Sequence, residues 1–104
     1  MPSTSSTQLG QETARVRVRL PGPLRDYCGG ASELTLPAHN LHAVLDRLAE
    51  SHPEVHRHIC EETGSVRRHI NLFVNTDHMR ELDGLDTTLH PGDVVTILPA
   101  VSGG

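Results

Sequence analysis

Alternating polar and apolar residues predict two strands in the first third of the chain. Segment 15–20 reads Arg-Val-Arg-Val-Arg-Leu, the pattern of a strand with one buried face. Pro21-Gly22-Pro23 breaks this strand, and segment 24–32, which contains Gly29-Gly30, is predicted to be a loop. Residues 33–36 alternate again, so the two strands are expected to form a hairpin with a long connection.

The apolar spacing changes to a helical period after Asn40, which is a favourable N-cap residue. One buried helix face is predicted to run to about Ser51, with apolar residues at i, i+3, i+4 and i+7: Leu41, Val44, Leu45 and Leu48. Pro53 suits the first turn of a second, short helix over 54–62, which Gly64 would end.

A third strand is predicted over 70–75. Its inward positions are apolar, and Phe73, the only phenylalanine of the chain, points the other way by strand parity. Thr76-Asp77 is expected to form a turn, and residues 78–80 a short edge strand. Residues 83–86 are expected to turn the chain again.

The last predicted strand covers 94–98. Pro91-Gly92 before it suits a type II turn, and Pro99 ends it. Because this segment is almost wholly apolar, we expect a central strand that is buried on both faces.

The order of these elements predicts an α+β protein with the β-grasp arrangement, a mixed sheet of four to five strands over one main helix. Residues 1–14 are rich in Ser, Thr and Gln and are expected to be a disordered leader. Residues 15–98 would form the domain, and residues 99–104 a flexible tail.

The tail holds the candidate reactive group. Glycine has no Cβ, so Gly103-Gly104 can pass a narrow channel and present the carboxylate of Gly104 to another protein.

Charge and composition exclude several classes of function. The chain has 104 residues and a net charge of −4, which argues against nucleic acid as the main partner. The acids cluster late, whereas Arg15, Arg17 and Arg19 lie in the first strand. We interpret this as either an acidic face near the tail, matched by a basic partner, or ordinary solvated charge. There is no lysine, so the chain cannot form lysine-linked chains of itself.

A cytoplasmic protein without a membrane partner is the default prediction. No apolar run is long enough to span a membrane, and no signal peptide is visible. Cys28 and Cys60 are too few for a disulfide scaffold.

The histidines offer a weaker hypothesis. If one helix contained them, His52, His56 and Cys60 would share a face at i, i+4 and i+8, and zinc accepts such ligands. The sequence supplies no fourth ligand, so surface histidines are the preferred interpretation and no metal site is predicted.

Several of these motifs together resemble a known family. The Leu89-x-Pro-Gly-Asp93 turn, the ending Val-Thr-Ile-Leu-Pro-Ala-Val and the final Gly-Gly are similar to those of the MoaD/ThiS ubiquitin-like sulfur carriers. The segments Leu-Pro-x-x-Leu-Arg near the start and Ile-Asn-x-Phe-Val-Asn in the third strand are most similar to the CysO type.

The resemblance implies a carrier without its own catalytic site. A MoeB/ThiF-type, E1-like enzyme would use ATP to adenylate Gly104, and a sulfur donor would convert the product to a thiocarboxylate. The acceptor would be a biosynthetic enzyme, such as a cysteine synthase that uses pyridoxal phosphate or an enzyme making a sulfur-containing metabolite. The chain itself would bind no cofactor.

The same resemblance implies roles for single residues. Gly103 would let the chain pass a constriction, and the docking segment would comprise Ser102, Val101, Ala100 and Pro99. Leu98 and Phe73 would contact the partner. An equally good interpretation is that Phe73 covers the far side of the sheet or packs against the leader.

Three other functions stay open at this point. The chain could be a ubiquitin-like modifier joined to other proteins through an amide bond. It could be the small subunit of molybdopterin synthase, with its tail inserted in a partner. The simplest alternative is a β-grasp binding module whose tail has no role.

Overall fold

A five-stranded mixed sheet forms the centre of the computed structural model, which describes residues 14–99. Its strands are β1 (Arg15–Arg19), β2 (Glu33–Pro37), β3 (Ile70–Val74), β4 (Asp77–His78) and β5 (Val94–Pro99). Their spatial order is β2-β1-β5-β3-β4. The pair β1–β5 is parallel and the other three pairs are antiparallel. This order places the last strand of the chain in the middle of the sheet.

Three α-helices accompany the sheet: α1 (Gly22–Arg25), α2 (Leu41–Ser51) and α3 (Pro53–Ile59). The side chain of Asn40 accepts a hydrogen bond from Ala43 N at 2.8 Å, which satisfies one of the unpaired amides at the start of α2. The apolar face of α2 is buried as predicted. The β-grasp fold expected from the sequence is therefore confirmed.

The hydrophobic core lies between α2, α3 and one face of the sheet. The three central strands contribute their inward positions, which are Val16, Val18, Ile70, Leu72, Val74, Val95 and Ile97. The helices contribute Leu41, Val44, Leu45, Leu48, Val55 and Ile59. Because side chains alternate along a strand, burial of these positions leaves the intervening ones on the opposite face of the sheet.

Local structure differs from the prediction in segment 24–32. Residues 22–25 form α1 and Asp26–Cys28 form a 3₁₀ turn, where a loop was expected. Pro23 is compatible with a helical first turn, and burial of Leu24 fixes the turn against the core.

The second predicted helix is shorter than expected and ends at Ile59. Cys60 has an extended backbone with φ −120° and ψ 152° and forms an isolated bridge with Val66. This bridge to a residue six positions further along the chain stops the helix before residue 62.

The edge strand was predicted at 78–80, but it lies at Asp77–His78 and follows a turn at Asn75-Thr76. Asn75 adopts a φ of 57°, which asparagine tolerates better than most residues. Residues 79–81, two of which were expected in the edge strand, form a 3₁₀ turn instead. By contrast, Gly92 has a φ of 88° and Asp93 N donates to His90 O, as the predicted type II turn requires.

The expectation that β5 is buried on both faces is wrong. Val95 and Ile97 are buried, whereas Val94 and Thr96 are half-buried and Leu98 is 44% exposed. The physical reason is that the core forms against only one face of the sheet, so a central strand can still be open on the other.

The leader (1–14) and the tail (99–104) lie almost entirely outside the described residues, and their predicted disorder stays a prediction. At the two limits, Ala14 O accepts a hydrogen bond from Ala38 N and Pro99 pairs with Ile70 inside β5. Among the described helices, none has the length and apolar character that crossing a membrane requires.

Two neighbouring residues of β5 test this description. Ile97→Ala should destabilise the protein by about 2 to 5 kcal/mol, because it opens a cavity in the core. Leu98→Ala should change the stability by no more than about 0.5 kcal/mol, because its side chain faces solvent. Chemical denaturation of both variants measures the difference, and equal losses of stability would show that the faces of β5 are wrongly assigned.

Candidate functional site

The candidate site begins where β5 ends. β5 is held by β1 from Val94 to Thr96 and by β3 up to Pro99. Five of the residues predicted to act lie outside the described residues: Ala100, Val101, Ser102, Gly103 and Gly104. The structure describes the strand that precedes them in the sequence. This central strand is anchored by hydrogen bonds and by buried side chains.

Phe73 and Leu98 lie on the same side of the sheet. We call this side, which points away from α2, the open face; its central strands present Arg15, Arg17, Arg19, Asn71, Phe73, Val94, Thr96 and Leu98. In the register of β3 with β5, Phe73 is opposite Thr96 and Asn71 is opposite Leu98. Phe73 and Leu98 are therefore diagonal neighbours on adjacent strands, which brings the two predicted contacts together.

His78 orders the edge of this face. Its Nδ1 accepts a hydrogen bond from Arg80 N at 3.0 Å, so Nε2 carries the proton and donates to Asn71 Oδ1 at 3.0 Å. The Phe73 ring meets the His78 ring edge-on, with 5.0 Å between centroids. These contacts fix the half-buried Phe73 in one orientation.

The sequence reasoning did not single out His78. The signal was present in the short turn between β3 and β4. A two-residue turn at Asn75-Thr76 places residues 73 and 78 directly opposite each other in the hairpin.

The charges beside β5 are positive. Arg17 is paired in register with Val94, and Arg19 with Thr96. Neither arginine takes part in an ion pair within residues 14–99. Two of the late acids have local partners elsewhere: Asp86 lies 3.5 Å from His42, and Asp93 accepts from His90 N. The open face is therefore positively charged beside β5, and an acidic face near the tail stays one of the two interpretations of the late acids.

His52, His56 and Cys60 do not share a helix. His52 is the junction between α2 and α3, and Cys60 follows the end of α3 in extended conformation. Within residues 14–99, no group of three or more His, Cys, Asp or Glu side chains is arranged to hold a metal ion.

The two thiols are poor nucleophiles in this environment. Burial raises the pKa of Cys60 above its ordinary value, and the charge of Arg67 opposes this rise only in part. Burial also raises the pKa of Cys28. A raised pKa leaves less thiolate at a given pH, so neither cysteine has the features of a reactive thiol.

Comparison with known proteins identifies the family. A model described as the ThiS family matches residues 18–104. The chain belongs to the ThiS family. The sulfur carrier protein CysO of Mycobacterium tuberculosis is 34% identical over 91 residues, which are 86% of this chain and 98% of that relative.

Solved structures agree with this assignment. The structure of small archaeal modifier protein 1 (SAMP1) from Methanosarcina acetivorans matches with a TM-score of 0.78 at 34% identity. The match covers 88% of this chain and 97% of the SAMP1 chain. A structure of the Amycolatopsis orientalis BexX/CysO complex matches with a TM-score of 0.77 at 31% identity, covering 86% and 99%. The ThiS-family chain is thus similar to small sulfur carriers and to a protein modifier along nearly its whole length.

The burial of the thiols has a testable consequence. Iodoacetamide should modify Cys60 far more slowly than Cys28 in the folded protein at neutral pH, and both rapidly in denaturant. Peptide mass spectrometry over time measures the two rates, and Cys28→Ser isolates the signal of Cys60. Rapid modification of Cys60 in the folded state would contradict its assigned burial.

Proposed function

We propose that this protein is a sulfur carrier whose Gly104 carboxylate is activated and converted to a thiocarboxylate. The observation that carries the proposal is the placement of β5. This central strand leads directly into the segment ending in Gly103-Gly104, on a fold shared with sulfur carriers. The fold supports the segment, and the chemistry belongs to its last residue.

The activation step requires an E1-like enzyme of the MoeB/ThiF type. A carboxylate oxygen of Gly104 attacks the α-phosphorus of ATP, and pyrophosphate leaves. A sulfur nucleophile then attacks the carbonyl carbon of the acyl-adenylate, and AMP leaves with one oxygen. When the nucleophile is sulfide, the thioacid that forms loses its proton, and Gly104 ends in a thiocarboxylate. ATP binds the activating enzyme, so this chain needs no cofactor of its own.

The acceptor would be a biosynthetic enzyme. The relative from Amycolatopsis orientalis is seen in complex with BexX, which supports a second protein as a partner of the carrier. The likeness to CysO favours cysteine synthesis on pyridoxal phosphate or synthesis of another sulfur-containing metabolite. A reducing cytoplasm suits this chemistry, and Cys28 and Cys60 are both free thiols.

The body of the protein would act in recognition. The partner would contact Phe73, Leu98 and Pro99. His78 holds Phe73 in place. Leu98 and Pro99 are exposed at the end of β5. Continuing the path of β5, Ala100, Val101 and Ser102 would dock in the partner. Gly103 would pass its narrowest point, where a Cβ would clash.

A second candidate function is protein modification, which the likeness to SAMP1 favours. The activation of Gly104 is the same, but an amine of a target protein attacks the carbonyl in place of sulfur. Because this chain contains no lysine, the target amine would belong to another protein. Recovery of Gly104 in amide linkage to lysines of cellular proteins would favour this function over sulfur transfer.

The intact mass of the protein tests the proposal. After incubation with its activating enzyme, ATP and sulfide, the mass should increase by the difference between one sulfur and one oxygen. Deletion of Gly104 should abolish this increase while the melting temperature stays nearly unchanged, because a single terminal residue contributes little to stability.

Gly22→Ala is the matched control for changes at the terminal glycines. A Cβ at Gly22 meets no atom within 4 Å, so the variant should load sulfur as the wild type does. Gly103→Ala, which adds the same methyl group, should slow loading. Equal loading by all variants, including the deletion, would contradict the assignment of Gly104.

The open face should contribute to recognition of the activating enzyme. Phe73→Ala and Leu98→Ala should raise the KM for the carrier by about tenfold, as truncation of an interface anchor does, with little change in kcat. Thr35→Ala on β2, at the edge of the same face, is the control and should leave KM unchanged. If Phe73→Ala and Leu98→Ala both keep the wild-type KM, the open face is not part of the proposed interface.

A further inference from the structure

A groove with a basic and an apolar half opens beside the end of β5. The basic half has a volume of about 340 Å³ and is lined by Arg57, His58, Arg67 and His69. The apolar half has a volume of about 140 Å³, and its walls also include Pro21, Pro23, Leu24, Ile70 and Pro99. His58 and His69 line both halves, so the two cavities adjoin, and we refer to them together as the groove.

The basic half is held in place by hydrogen bonds to the backbone. Arg67 Nε donates to the carbonyl oxygen of Arg57 at 3.1 Å. The backbone amide of Arg67 donates to Ile59 O at 2.8 Å, and its carbonyl accepts from Ile70 N at 2.9 Å. The Nε hydrogen bond orients the guanidinium of Arg67, and its two terminal nitrogens make no hydrogen bond or ion pair to residues 14–99.

The positive charge of the groove comes from its arginines. His58 Nδ1 donates to the carbonyl oxygen of Glu54 at 2.9 Å, and its Nε2 lies 3.4 Å from the Tyr27 hydroxyl oxygen. Arg57 lies 3.5 Å from Glu54, and both side chains are more than half exposed. Such an exposed pair is weak and can be exchanged for another carboxylate.

These features define the chemistry of a ligand. Two guanidinium groups on a chain of net charge −4 form a local site for carboxylates, which arginine binds through paired hydrogen bonds. The neighbouring apolar walls suit an aliphatic side chain. A peptide segment with an aliphatic residue close to an acidic residue matches both halves.

We propose that this groove binds an acidic segment of the enzyme that activates Gly104, an inference that rests on the proposed function. Pro99 is both a wall of the groove and the last residue of β5. An enzyme that holds the residues after Pro99 therefore reaches the groove. The activating enzyme is the partner that sulfur transfer and protein modification have in common.

Binding of the full-length protein to the activating enzyme tests the inference, measured by calorimetry without ATP at low and high salt. Arg57→Gln and Arg67→Gln should each raise the Kd about three- to tenfold at low salt, with a smaller effect at high salt. Arg57 makes no bond to the backbone through its side chain, so its variant tests the inference even if Arg67→Gln perturbs the loop.

Arg47→Gln is the matched control. Arg47 pairs with Glu50 at 3.5 Å, with the same i,i+3 spacing as Glu54 and Arg57 but the reverse order of acid and base, and it lies on α2 outside the groove. Its Kd should equal that of the wild type. Equal Kd values for Arg57→Gln, Arg47→Gln and the wild type would overturn the inference, as would absence of binding by the wild type.

Other outcomes are equally decisive. If the groove variants change the self-association of the protein in sedimentation and leave the Kd unchanged, the occupant is a second copy and the inference is wrong. If the Kd values change as expected but the wild type forms no thiocarboxylate, the docking inference stands and the proposed sulfur chemistry fails.

Discussion

The pairing of β5 between β1 and β3 is the constraint on which the rest of the structure depends. The strand is parallel to β1 and antiparallel to β3, and it buries Val95 and Ile97 completely or almost completely in the core. These contacts determine where the chain leaves the sheet. In the proposed function two tasks are separate, since residues up to Pro99 supply stability and the residues that follow it in the sequence would supply the chemistry.

The alternation of side chains along β5 produces the two faces of the protein. One face meets α2 and α3 in a core of aliphatic side chains. The other presents Phe73 and Leu98 with arginines of β1 beside them, and His78 fixes the phenylalanine. In the proposed function, this central strand would contribute to stability through Val95 and Ile97 and to recognition through Leu98.

Local sequence signals predicted the elements well, and contacts with residues outside an element caused the errors. Helix α2 was evident because Asn40 and four apolar residues lie within its own length. The end of α3 was missed because Cys60 pairs with Val66. An apolar run such as 94–98 does not indicate on which face of the sheet the helices pack. The exposure of Leu98 could therefore be recognised only in the structure. The basic groove was not foreseen because its walls come from four separate segments of the chain.

The location of sulfur in the loaded protein tests the central claim most directly. The claim is that the fold carries the reactive group and that Gly104 alone is changed. Fragmentation of the loaded protein in the mass spectrometer assigns the added mass to a residue. We predict that only fragments containing Gly104 are heavier. Added mass on fragments that contain Cys28 or Cys60, with an unchanged C-terminal fragment, would contradict the account.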